Sequence, residues 1–103
     1  ITKMAKAAVM MVSESVEAFV QGDLDLAHKV VAEDDTVDNL FIQVRGELLQ
    51  KLKEETGDPE AILDLMMIAK YFERIGDHAV NLAEWVEYSI TGQHKSDEHH
   101  QDL

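Results

Sequence analysis

The sequence predicts an all-α protein, an antiparallel up-down-up bundle of three helices. Three observations carry that expectation. Apolar residues recur at helical spacing through three long segments. The segments are parted only by short Gly, Asp and Pro turns. No stretch alternates apolar and polar residues as a strand with one wet face does. Short connections place successive helices antiparallel. A chain of 103 residues supports one domain with one modest core. Residues 1–92 are expected to form the bundle. The polar stretch 93–103 is expected to be a disordered tail.

The first segment runs from Thr2 to Gln21, with a stripe of Met4, Ala8, Met11, Val12, Ser15, Phe19 and Val20. Gly22 suits its end and Asp23 suits the cap of the second segment. That second segment runs from Leu24 to Thr56. Ala27, Val30, Val31, Val37, Phe41, Val44, Leu48 and Leu52 hold helical phase throughout. Glu33-Asp34-Asp35 is a weak helix-forming run, yet the phase is the same on both sides, which predicts one long helix with any distortion placed there. Thr56-Gly57-Asp58-Pro59 is a turn, with Asp58 as cap and Pro59 in a first helical position. The third segment runs from Pro59 to Ile90. Ile62, Leu65, Met66, Ala69, Phe72, Gly76, Val80 and Ala83 form its stripe, and Trp85, Val86 and Tyr88 widen it. Met10, Met11, Met66 and Met67 read as core filler.

The net charge is -12, with 21 acidic against 9 basic residues. Such a chain is repelled by nucleic acid and by anionic lipid heads, and attracts cations and basic partners. No apolar run approaches the roughly 20 residues of a membrane span. Cysteine is absent, which excludes disulfides, thiolate metal sites and a cysteine nucleophile. There is no P-loop, no nucleophile set beside a base, and no basic cluster to hold a phosphate.

Two acid pairs fall where apolar residues are expected. A helix turns about 100° per residue, so residues four apart share a face. Asp34 and Asp38 lie on either side of the second stripe's centre. Glu73 lies near the centre of the third stripe and Asp77 at its edge. Like charges at this spacing oppose helix formation, and buried unpaired carboxylates are costly. A divalent or trivalent cation would compensate. The competing explanations are solvent-facing stripe edges in a very acidic chain, or pairing with Arg45 or Arg74.

The third segment, M-M-I-A-K-Y-F-E-R-I-G-D-H-A-V-N-L-A-E-W-V, resembles the last long helix of the PhoU family of phosphate-signalling regulators, and E-R-I-G-D-H-x-x-N is its most specific part. G-D-L-D-L-A-H-K-V-V-A-E-D-D-T-V-D-N-L-F resembles the family's second helix more loosely. PhoU proteins carry two three-helix bundles in tandem. This chain supplies one, worded more like the C-terminal copy, and it opens at Ile1. A C-terminal half or a one-bundle relative is therefore expected. The resemblance implies acid-x-x-x-Asp metal motifs at Asp34 and Asp38 and at Glu73 and Asp77. Asn81 would supply a carbonyl oxygen or an outer hydrogen bond. Oxygen-only ligands favour iron, manganese or magnesium and disfavour zinc.

The resemblance further implies a non-enzymatic regulatory adaptor that damps the phosphate-starvation response. Its partners would be a phosphate-specific ABC transporter and a sensor histidine kinase. It would work in the cytoplasm, peripheral to the inner face of the membrane through those partners, without inserting and without binding nucleic acid. Homo-oligomerisation is left open. A di-iron carboxylate oxidase or iron store is the alternative, disfavoured because no Glu-x-x-His is present. A purely structural acidic bundle is the other. His78 reads as a surface residue, His28 with Asp25 as a helix start, and His94, His99 and His100 as parts of the tail.

Overall fold

A computed structural model of the chain describes residues 1–92. It contains four helical stretches: α1 (Thr2–Gln21), α2 (Leu24–Ala32), α3 (Asp34–Lys53) and α4 (Pro59–Thr91). The expected tail, 93–103, with its three histidines, lies outside the described residues.

α2 and α3 correct the expectation of one long second helix. Glu33 interrupts it, at φ -79° and ψ -7°. The interruption is a distortion and not a reversal. The Glu33 amide donates to both Lys29 O (3.0 Å) and Val30 O (3.1 Å), and Thr36 N donates back to Glu33 O (3.0 Å). Hydrogen bonding thus tightens for one turn and resumes. The stripe keeps its phase across the break, with Ala27, Val30, Val37, Val44 and Leu48 all buried. α3 ends at Lys53, three residues before the expected Thr56.

Contacts across the bundle fix its direction. From α2 and α3 to α4 they run His28–Glu87, Asp34–Asp77, Val37–Gly76 and Phe41–Lys70, so these elements are antiparallel. From α1 they run Glu14–Lys29, then Met10 and Met11 beside Glu33 and Thr36, so α1 is also antiparallel to α2 and α3. α1 and α4 are therefore parallel, and their mutual packing is the most extensive in the molecule. The architecture is the up-down-up bundle. α4, with 33 residues, spans about 50 Å at helical rise and sets the 53 Å long axis.

The helix ends reflect capping chemistry. Gly22 and Gly92 close α1 and α4 in the left-handed region, at φ 64° and 77°. Asp23 accepts from Leu26 N at 3.0 Å and Asp58 from Glu60 N at 3.1 Å.

The core is one cluster in which Met4, Met11, Val30 and Val37 are the largest fully buried apolar side chains. Ala8, Ala18, Ala27, Ala69, Ala79 and Ala83 are buried beside them. Five expected stripe positions lie outside the core: Val12, Phe19, Val20, Leu52 and Leu65 are exposed. Ala18 takes the buried place near the C-terminal end of α1, because small side chains let the helices approach closely there.

Candidate metal centre

α3 begins at Asp34, directly after the helical distortion, and Asp38 lies one turn on. Both aim at α4, where Asp77 faces them. One carboxylate oxygen from each of Asp34, Asp38 and Asp77 lies within 4.8 Å of the others. Oxygens bound to one hard cation at about 2.0–2.6 Å lie at most roughly 4–5 Å apart, so small side-chain adjustments would close this set on an ion. Asp34 and Asp38 are half-buried and Asp77 is exposed, which leaves the site reachable from solvent.

Glu73 stands outside this tight set. Its Oε1 accepts from Lys70 Nζ at 2.8 Å, one turn back on α4. Lys70 also lies over the Phe41 ring, 5.0 Å from its centroid. Glu73 nonetheless reaches the cluster electrically, as the largest charge contribution raising the Asp38 pKa. Asn81, a turn beyond Asp77, is exposed. Arg45 is exposed, and Arg74 lies against the Tyr71 ring at 5.9 Å. Lys70 is the cation that lowers Asp38, by a smaller effect than those raising it.

The local electrostatics result from this placement. Burial raises the Asp34 carboxyl above the ordinary aspartate range, and Asp38 and Asp77 push it further. Burial likewise raises Asp38, with Glu73 and Asp77 adding to the effect. Carboxylates that repel one another and lack full neutralisation form a site that a bound cation would relieve. The donor set is all oxygen, as hard cations require.

Two further clusters escaped the sequence reading. Lys29 joins Glu14 and Glu33 across α1 and α2, pairing closely with Glu14 and lying 3.8 Å from Glu33. Lys29 lowers the Glu14 carboxyl, whereas burial and the neighbouring Glu14 raise Glu33. The second is Glu87, buried on α4 and paired with His28 Nε2 at 3.1 Å. Glu87 lies one helical turn beyond Ala83 on the α4 stripe, a signal that was available in the sequence. His28, on α2, faces this acid across the bundle.

Fold and cluster together define an acidic three-helix bundle whose last two rods present converging carboxylates in the groove between them. The PhoU domain model matches residues 1–86, and the chain belongs to that family. Among its relatives are proteins named phosphate-specific transport system accessory protein PhoU homolog. That of Clostridium acetobutylicum is 36% identical over 83 residues, covering 81% of this chain and 38% of the relative. That of Pseudomonas aeruginosa is 38% identical over 82 residues, covering 80% and 34%. That of Zymomonas mobilis is 39% identical over 83 residues, covering 81% and 35%. The chain thus spans little more than a third of the length of these relatives. No solved structure matches it.

Proposed function

We propose that this chain is a regulatory accessory unit of phosphate uptake that works by contact and uses a carboxylate-bound metal ion to fix α3 against α4. The observation that carries the reading is the convergence of Asp34, Asp38 and Asp77 from two helices, on a PhoU-family fold. Asp34, Asp38 and Asp77 hold the ion. Glu73 joins them when it leaves Lys70, and Asn81 adds an outer hydrogen bond. Iron, manganese or magnesium fits this donor set better than zinc. The bound cation neutralises mutual repulsion and ties the start of α3 to the middle of α4, stiffening the groove between them.

Regulation takes the family pattern. The helix faces engage a phosphate-specific ABC transporter and a sensor histidine kinase on the cytoplasmic side of the membrane, and the contact damps the phosphate-starvation response. None of the described helices is long and apolar enough to cross a membrane, so partner contact would supply the attachment. No chemistry on a substrate enters this mechanism.

The test is co-purification of the chain with the phosphate transporter and the sensor kinase of its host, with and without chelator. Capture of either partner, weakened by the Asp34→Asn, Asp77→Asn double variant, supports the reading. Absence of both partners from the captured fraction would remove the adaptor role.

A further inference from the structure

The groove between α3 and α4 continues past the carboxylates into an apolar stretch that the described helices leave uncovered. On α3, Asp34, Asp38 and Phe41 face α4. At about 100° per residue, Arg45, Leu49 and Leu52 repeat that direction, and Ile42, Gly46 and Lys53 lie further round toward solvent. On α4, Lys70 and Asp77 face α3. Leu63 repeats their direction, with Met67 and Arg74 further round on the same side. Phe41 and Met66, partly buried against the core, lie beneath this stretch. Above them the apolar side chains are open to water. Ile42 is 62% exposed and Leu63 64%, Leu49 and Leu52 are exposed, and Met67, expected in the core, is 53% exposed.

Gly46 points to a close neighbour at the same place. It lies inside α3, exposed, one turn from both Ile42 and Leu49. Glycine weakens a helix interior. The fold does not require it, since Gly46 is not among the glycines at positive φ and a Cβ added there would meet no atom within 4 Å. What the missing side chain provides is a flat spot where another backbone can approach.

Charge selects the occupant. Arg45 and Lys53 border the apolar side chains and form no ion pair among the described residues. Lys70, held by Glu73, and Arg74 stand at the inner end. The acids nearby are Glu60 at the outer end and Asp38 beyond Ile42. Asp64 lies roughly 140° round α4 from Asp77, off the groove. We propose that this stretch docks an amphipathic helix of a partner protein, apolar on its buried face and acidic along its edges. Ile42 to Lys53 spans about 17 Å, or three turns, which suits anchors at i, i+3 or i+4, and i+7 on one helix. Carboxylates on its edges meet Arg45 and Lys53. A basic helix would set like charges against those two. At physiological ionic strength the chain's other carboxylates are screened beyond about 8 Å, so the cations at the groove govern contact. The inference rests on the contact reading of the chain and not on its metal ion.

The test is an NMR titration of the isotope-labelled 103-residue chain, in chelator, with a synthetic helical peptide of about 18 residues. The peptide carries leucines on one face and glutamates on its edges, and a control replaces each glutamate with lysine. The expected result is a Kd of about 100 µM or tighter, with amide shifts gathered on Ile42–Lys53 and Glu60–Arg74, and at least about tenfold weaker binding of the control. Gly46→Gln should weaken binding at least about tenfold while melting holds or rises, a combination that misfolding cannot produce. Arg45→Glu should weaken it as much, and Val16→Ser, exposed on α1, should not change it. No binding, equal or tighter binding of the lysine peptide, or shifts centred on α1 would overturn the proposal. So would the same shifts on concentrating the chain alone, which would give the groove to a second copy. Metal content and capture of the transporter or kinase are read separately, so either can fail while the peptide binds, and the peptide can fail while both hold.

Discussion

Asp34 and Asp38 face Asp77 across the α3–α4 groove, and burial and mutual repulsion hold both their pKa values above the ordinary range. A raised carboxyl pKa means that the folded chain keeps its proton longer than the unfolded chain. By linkage, stability from these two groups is highest below the unfolded value near 4 and falls as pH rises through the raised folded values. In chelator, melting temperature should therefore decline across that window, and Asp34→Asn should flatten the decline. Glu14 works in the opposite sense. Its carboxyl is lowered by Lys29, so its contribution is lost as pH falls. Thermal melts of the wild type and Asp34→Asn at stepped pH separate the two. A wild-type slope unaltered by Asp34→Asn would show that the acids do not interact as their placement requires.

How far the residues disclosed this arrangement differs between positions. Spacing placed Asp34, Asp38 and Asp77 beside their stripes, and those three meet. Spacing also placed Glu73 nearest a stripe centre, yet Lys70 holds it. A helical wheel gives direction within one helix but not the reach of a lysine one turn away. The Glu14–Lys29–Glu33 and His28–Glu87 contacts were unreadable for a related reason, since each joins separate elements whose axial offset the pattern does not fix.

At the level of the elements, the three rods and their turns were legible because Gly22, Asp23, Gly57, Asp58 and Pro59 each favour a particular backbone state. Asp23 caps α2 through Leu26 N. Asp23→Ala should cost about 1 kcal/mol in denaturant unfolding, as loss of an N-cap does. The weak Glu33-Asp34-Asp35 run marked where the second helix would distort, but not that the distortion divides it into α2 and α3. The division lies in backbone hydrogen bonding that leaves the side-chain phase unchanged. The core of α1 was partly misread toward large residues, with Phe19 and Val20 exposed and Ala18 buried, because hydropathy does not register how closely small side chains bring helices together.

Gly76 offers a second test at this scale. It is buried against Val37 and Met11, but a Cβ there would meet Val37 Cγ1 at 3.5 Å and Met11 Sδ at 3.8 Å, which is ordinary contact. The position has room for a methyl group and helical backbone that alanine prefers. Gly76→Ala should therefore leave the fold intact and stabilise it by up to about 1 kcal/mol. Destabilisation by more than that would mean that α1, α3 and α4 pack more tightly there than the distances indicate.

Across the whole molecule, the bundle has two unlike sides. The α3–α4 groove gathers carboxylates, and the α1–α4 groove gathers exposed apolar side chains. A cation bound in the first would act on stability through mass action, as any ligand of the folded state does. Saturating metal should raise the melting temperature by on the order of 10 °C for a domain of this size. High salt alone should screen the acids and recover only part of that gain.

The metal content of the purified chain decides the central claim. The untagged protein would be subjected to elemental analysis, then melted with and without chelator beside the Asp34→Asn, Asp77→Asn double variant. Stoichiometric iron, manganese or magnesium, whose removal destabilises the wild type but not the variant, is the predicted result. No bound metal, with melting unchanged on adding ferrous iron, manganese or magnesium, would contradict it and leave the carboxylates as a solvated face of a PhoU-family bundle.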